Sequence, residues 1–223
     1  MGGLAAIVFD MDGTLVRYSG AKFESSWGAL AAAAGVHEAS LALFEEFFPR
    51  RDAYAEWVAR DAALLEGVEV DTVDRQLFPA PYAAGVRSAV DRLKGRFVLG
   101  ILSSGVDRVA NRVKEDLGLD FARANHLEVV SGRFTGRSET RVELWEKEKA
   151  FERVLDEYRL DASQVCYVGD HVNDLPVMRE AALAIAANPK DDRVRDAADH
   201  VIEDFSDLPG LVAAFDAAQS GGA

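Results

Sequence analysis

Ala5-Ala6-Ile7-Val8-Phe9-Asp10-Met11-Asp12-Gly13-Thr14-Leu15-Val16 is the stretch that decides the fold. Its run of Ile, Val and Phe reads as a strand buried on both faces, as in a parallel sheet. The run stops on two aspartates separated by one residue, then on Gly13, whose backbone freedom lets the chain leave the strand sharply. Open parallel sheets collect their chemistry beyond the carboxyl ends of their strands. Asp10 and Asp12 stand there, and two such close carboxylates coexist only with a cation or a proton. A hard divalent metal such as Mg2+ meets that need, because it takes carboxylate and carbonyl oxygens. Taken alone, Asp-x-Asp serves equally as a polar turn or a helix cap, so the ends of the other strands decide.

The chain has 223 residues, of which 49% are hydrophobic and 28% charged, enough for one large domain or a core with a small second unit. Its net charge of −13 argues against nucleic-acid and anionic-membrane partners, yet allows an anionic substrate at a locally positive site. The single cysteine, Cys166, lies in an apolar run; it excludes an internal disulfide framework and fits a reducing compartment. Met1-Gly2-Gly3-Leu4 has no basic signal-peptide region, and no apolar run is long enough to span a membrane. The expected location is cytoplasmic, with monomer and homodimer both open.

Helical spacing of apolar residues covers 24–34, 38–48, 51–65 and 72–77, with breaks at Pro49, Pro79 and Pro81. No strand is read there, so residues 17–83 are expected to form a small all-helical cap inserted after the first strand. Residues 1–16 and 84–223 are expected to form an α/β core, a Rossmann-like parallel sheet with helices on both faces. Further strands are expected at 96–102, 121–125, 165–168, 183–187 and 200–203, with a hairpin over 126–135 turning at Ser131-Gly132. Helices are expected at 83–93, 106–117 and 147–158, and Gln219 to Ala223 is expected to be a disordered tail.

Several strands end in a polar group. Asp10 and Asp12 follow the first, Ser103 the second, and Asp170 and Asp174 a later one. Lys147 and Lys149 flank Glu148 at the start of the helix before that later strand. Lys149 is the candidate, because the apolar pattern starts directly after it, at Ala150-Phe151. Ser103 alone would serve as a helix cap. His171 reads as incidental, and His37, His126 and His200 form no ligand set with cysteine, which argues against zinc.

Together these residues resemble the four motifs of haloacid dehalogenase superfamily phosphatases. Asp10-Met11-Asp12-Gly13-Thr14 matches the first, Ser103 the second, Lys149 the third and Gly169-Asp170-x-x-Asn173-Asp174 the fourth. Phe121-Ala122-Arg123-Ala124-Asn125, Ile185-Ala186-Ala187-Asn188-Pro189-Lys190 and Asp196-Ala197-Ala198-Asp199-His200-Val201-Ile202 look like the phosphoserine phosphatase branch. The resemblance implies that Asp10 attacks phosphorus to form an aspartyl phosphate, while Asp12 protonates the leaving alcohol and then activates water. It implies one Mg2+ held by the Asp10 carboxylate, the Asp12 backbone carbonyl and Asp170, with Asp174 orienting that site. Lys149, Ser103, Asn173 and backbone N–H groups near Ser104-Gly105 and Met11 are then expected around the phosphate.

In that superfamily a helical insertion after the first motif closes over the substrate. The branch holds the amino and carboxylate groups of serine with an early glutamate and a later arginine of the cap. Ser19 stands at the usual glutamate distance, so Glu24 is the candidate once a short insertion is allowed, and Arg60 is the candidate arginine. The expected activity is Mg2+-dependent hydrolysis of a small phosphorylated metabolite, phosphoserine first, with a place in serine biosynthesis. Phosphoglycolate, a sugar phosphate or a nucleotide is the alternative substrate, and a phosphate-ester-binding regulatory protein without turnover is the alternative class.

Overall fold

The computed structural model describes residues 3–18 and 25–220. Its strands are β1 (Ala6–Phe9), β2 (Val98–Val106), β3 (Phe121–Val130), β4 (Arg133–Glu139), β5 (Val165–Gly169), β6 (Leu183–Ala187) and β7 (His200–Ile202). They form one sheet in the order β4-β3-β2-β1-β5-β6-β7, parallel except where β4 runs against β3. The helices between strands one and two are α1 (Ser26–Ala33), α2 (His37–Phe47), α3 (Tyr54–Ala63), α4 (Val70–Leu77) and α5 (Val86–Leu93). Later come α6 (Asp107–Leu117), α7 (Lys147–Tyr158), α8 (Leu175–Glu180), α9 (Asp192–Ala197) and α10 (Leu208–Ser220).

Successive side chains of a strand point to opposite faces, and both faces of β1 are covered. Ile7 and Phe9 join a core with Leu93, Val109, Val113 and Leu208 from α5, α6 and α10. Ala6 and Val8 join another with Phe151, Val154, Val177 and Val194 from α7, α8 and α9. Each fully buried Ile, Val or Phe contributes about 1.5–3 kcal/mol, so the central strand is held from both sides.

The chain leaves the sheet after Val16 and returns at Tyr82, where the two segments are tied together. Arg17 N donates to Pro81 O at 2.9 Å and Ala83 N to Leu15 O at 2.9 Å. Helices α1 to α4 lie between these points and contribute no strand to the sheet among the described residues. They are anchored on the β3–β4 hairpin, since Gly67 N donates to Phe134 O at 2.8 Å and Val70 N to Gly132 O at 3.0 Å.

Several elements differ from the sequence reading. β2 continues through Ser103 to Val106, and the short strand at 121–125 is one continuous strand with the first arm of the hairpin. Arg123, Asn125 and His126 interrupt its apolar pattern, which hides that continuity. The turn is at Ser131-Gly132, with φ of 51° and 74°, the left-handed pair that suits a two-residue hairpin. Gln219 and Ser220, expected in a disordered tail, complete α10, and residues 221–223 lie outside the described residues. α8 and α9 have six residues each, too few to show a period. No helix among the described residues is long and apolar enough to cross a membrane.

Gly100 of β2 pairs with Phe121 of β3, and a Cβ at position 100 would overlap the Phe121 ring. Gly100→Val is therefore expected to lower unfolding free energy by about 1–3 kcal/mol through overpacking, as measured by urea denaturation.

Candidate active site

The carboxyl ends of β1, β2 and β5 meet at the centre of the sheet. Asp10 follows β1, Ser103 lies in the last turn-ward residues of β2, and Asp170 follows β5. Asp10 stays in the ladder, with its N–H donating to Val168 O at 2.8 Å. Gly13 has φ of 86°, and a Cβ there would collide with the Asp170 carboxylate, so only glycine lets the first loop pass this close. Thr14 Oγ1 donates to Asp170 Oδ1 at 2.9 Å and fixes that side chain from the same loop.

Lys147, the first residue of α7, is fully buried between two of the carboxylates. Its Nζ donates to Asp10 Oδ1 at 2.8 Å and to Asp174 Oδ1 at 2.6 Å. Asp174 Oδ1 also accepts from Tyr167 OH at 2.7 Å, and its Oδ2 accepts from the backbone N–H of Asp170 at 3.0 Å and of His171 at 3.1 Å. Burial by itself would raise Asp174, but Lys147, Tyr167 and these N–H groups overrule it and hold the carboxyl below its usual range. Burial pushes Asp10 up to about 6, Lys147 opposing and Asp174 adding to the rise. Asp170 is pushed well above the usual range by burial, then by Asp10 and Asp174.

Asp10, Asp170 and Asp174 each offer an oxygen within 4.8 Å of the others. One ammonium does not balance them, and this buried deficit is what a divalent cation would fill. Hard carboxylate oxygens suit such an ion. Asp174 already accepts four hydrogen bonds, which leaves Asp10 and Asp170 as the carboxylates best able to ligate directly.

Asp12 faces the same space from the other side. Its Oδ2 accepts from Ser26 Oγ at 2.6 Å, and Ser26 in turn accepts from Val106 N at 3.0 Å. Its Oδ1 is buried and has no hydrogen-bond partner among the described residues. Burial lifts Asp12 to about 7 against the lowering effect of Ser26. Ser103 Oγ accepts from Gly105 N at 3.1 Å, so its own proton is left for another acceptor. A cavity of about 250 Å³ opens over these groups, lined by Phe44, Phe48 and Trp57 from the helical segment and by Leu144, His171, Asn173 and Lys190 from the rest of the chain.

The structure thus brings together Asp10, Asp12, Ser103, Ser104, Asp170 and Asn173 around one cavity, with Asp174 directly behind it. Lys149 is not part of it. That side chain is exposed and pairs with Glu146 at 2.5 Å, because two residues along a helix turn it about 200° away from the direction Lys147 takes. Arg60 is exposed on α3 and lines no cavity described for this site. Glu24 lies outside the described residues. The Gly105 N–H, expected at the phosphate, is already used by Ser103, and Ser104 offers its carbonyl as an acceptor to Trp27, Tyr54 and Asn125. His171, read as incidental, lines the cavity and helps hold Asp174. Thr14 belongs to the first motif but has no role in the sequence reading, and Ser26 and Tyr167 have no signal in the sequence beyond being hydroxyls on a helix or in a buried strand.

A model of the haloacid dehalogenase-like hydrolases matches residues 4–182. The chain is 32% identical over 187 residues to a phosphoserine phosphatase of Archaeoglobus fulgidus, covering 83% of this chain and 53% of that protein. A phosphoserine phosphatase of Methanocaldococcus jannaschii is 30% identical over 183 residues, covering 81% and 83%. The chain therefore spans about half the length of the first relative, and 32% of a phosphoserine phosphatase of Streptomyces coelicolor. The solved structure of a phospho-aspartyl intermediate analogue of phosphoserine phosphatase superposes with a TM-score of 0.76 at 27% identity, covering 94% of this chain and 99% of that one.

Removing Lys147 leaves Asp10 and Asp174 buried without a cation. Lys147→Met is expected to lose about 3–5 kcal/mol of stability in EDTA, whereas Lys149→Met leaves the urea midpoint where it is. A second expectation concerns Asp61 of α3, which is 7% exposed and raised by burial to about 6, with Ser40 opposing. A carboxyl whose folded pKa lies above its unfolded value of 3.8 favours folding at low pH and loses that contribution as pH rises through 6. Asp61→Asn should therefore be the more stable protein at pH 7.5, by at most about 3 kcal/mol, and the gap should close below pH 4 in urea melts.

Proposed function

Because the chain belongs to the haloacid dehalogenase-like hydrolases, we propose that it is a phosphomonoester hydrolase working through an aspartyl phosphate on Asp10. The observation that carries this reading is the buried Asp10–Lys147–Asp174 chain beside Asp12, which lines the same cavity and has one oxygen without a hydrogen-bond partner among the described residues. Pure binding of a phosphate ester needs no second carboxylate of that kind.

An Asp10 oxygen attacks phosphorus, and the ester oxygen leaves with a proton from Asp12. Asp12 then takes a proton from water, which attacks the same phosphorus and returns Asp10 as a carboxylate while phosphate departs. Ser26 keeps Asp12 in place through Oδ2, so Oδ1 is the oxygen that exchanges protons. Lys147 fixes Asp10 and lowers the cost of bringing a dianion to a carboxylate. Ser103 donates its free hydroxyl proton to a phosphate oxygen, with Asn173 lining the same cavity. Asp10, Asp170 and the Asp12 backbone carbonyl would hold a divalent cation, for which Mg2+ is the proposed identity. When bound, that ion supplies positive charge for the phosphate oxygens in a phosphoryl transfer that depends mainly on positioning and neutralisation.

Residues 17–83 act in this reading as the cap that covers the site. The names of the relatives support phosphoserine as substrate, and a small phosphorylated metabolite is the class proposed. A second reading, another small phosphate ester, is favoured by the exposure of Arg60, which leaves the expected carboxylate clamp unbuilt.

The test is phosphate release from L-phosphoserine, phosphoglycolate, a sugar phosphate and a nucleotide, with Mg2+ and with EDTA. EDTA should abolish release and Mg2+ restore it. Asp10→Asn should cut kcat by about 10³-fold or more while leaving the circular dichroism spectrum unchanged. Full turnover in that variant would remove the nucleophile assignment.

A further inference from the structure

Helix α3 carries Tyr54, Trp57 and Asp61 at positions three and seven residues apart, which puts them on one face. That face lines a cavity of about 90 Å³ adjoining the larger one; the two share Asp12, Trp57, Ser104 and Leu144. Trp27 closes it from α1. The walls are fixed, because the Trp27 indole N–H donates to Ser104 O at 3.1 Å and Tyr54 OH to the same oxygen at 2.8 Å. Asp61 is buried, accepts a hydrogen bond from Ser40 Oγ at 2.9 Å, and has the Trp57 indole N–H as a second neighbour that opposes the rise burial gives its carboxyl. Among the described residues no lysine, arginine or histidine lines this cavity.

A carboxylate buried among aromatic rings with no cation beside it is complementary to a positive charge. Carboxylate and ring faces both attract an ammonium, methylated or not. The cavity starts at Asp12, where the leaving alcohol must sit, and it has room for a short aminoalkyl chain and not for a sugar ring. We propose that this cavity is the leaving-group subsite, and that it selects phosphomonoesters of short amino alcohols by seating their cationic nitrogen between Asp61 and the rings of Trp27, Tyr54 and Trp57. The proposal rests on the phosphomonoesterase reading and names the feature of the alcohol that the site recognises. A carboxylate on the alcohol finds no guanidinium or ammonium here, so phosphoserine is held through its nitrogen alone.

The experiment compares O-phosphoethanolamine, ethyl phosphate, phosphoglycolate and L-phosphoserine on the wild type and Asp61→Asn, a substitution that keeps the shape and the bond from Ser40. In parallel, calorimetry measures binding of 3-aminopropylphosphonate and butylphosphonate, which are not hydrolysed. Phosphoethanolamine should exceed ethyl phosphate and phosphoglycolate in kcat/KM by at least about tenfold, and phosphoserine should gain nothing over it. Both that ratio and the preference for the aminophosphonate should fall about tenfold or more in Asp61→Asn. Hydrolysis of all four esters at similar rates, or ratios unchanged in Asp61→Asn, overturns the subsite and leaves the hydrolase reading standing. Absence of any hydrolysis with an Asp61-dependent preference for the aminophosphonate does the reverse.

Discussion

The Lys147 ammonium held between Asp10 and Asp174 is the constraint on which the rest of the site depends. Burying an ion costs several kcal/mol unless its partners are already in place. Here the ion stands at the start of α7 and its two partners come from the end of β1 and the turn after β5. The arrangement exists only when β1 and β5 are paired and α7 lies over them, so the folded sheet and the assembled site are one event. Asp174 spends both oxygens on Lys147, Tyr167 and two backbone N–H groups, and this fixes the lysine's direction. Asp10 is then steered by a group that cannot itself move.

The sequence revealed what depends on a one-dimensional signal. A strand buried on both faces is a continuous apolar run, and its carboxyl end is where that run meets a polar residue. This is why β1, β5 and β6 are legible to within about a residue, and why Asp10, Asp12, Asp170 and Asp174 are legible as groups beyond a strand's end, while Ser103, read as following the second strand, lies inside β2. β3 was harder to read because Arg123 and His126 are only half covered and break its pattern.

Helix-borne residues fail differently. A period of 3.6 shows that a face exists, but a site residue is fixed by the phase of that face, and each residue turns it by about 100°. Lys149 in place of Lys147 is a phase error of two residues. Arg60, expected to hold a substrate carboxylate, is exposed on α3, while its neighbour Asp61, to which the sequence reading gives no role, is the one the helix turns inward. Arg60 obeys the amphipathic pattern of α3, so its presence says little. Asp61 breaks that pattern, standing in the stripe of Tyr54, Trp57 and Val58, and a polar residue in an apolar stripe destabilises unless something else offsets it.

The same criterion holds across the molecule. The buried Asp, Asn, Ser, Thr and Lys among the described residues are Asp10, Thr14, Ser26, Ser40, Asp61, Ser103, Asn125, Lys147, Asp170, Asn173 and Asp174. Each of them either lines one of the two adjoining cavities or hydrogen-bonds a residue that does. The two hydrophobic layers against β1 are apolar wherever they are far from this point. A fold that confines its buried polar groups to one place concentrates there the desolvation cost that an apolar core avoids. Asp61 belongs to that set as fully as Asp10 does, on helix α3 instead of at the end of a strand. Its carboxylate lacks the cation that Lys147 provides to Asp10, and that difference is the physical reason to look for the missing charge on the substrate.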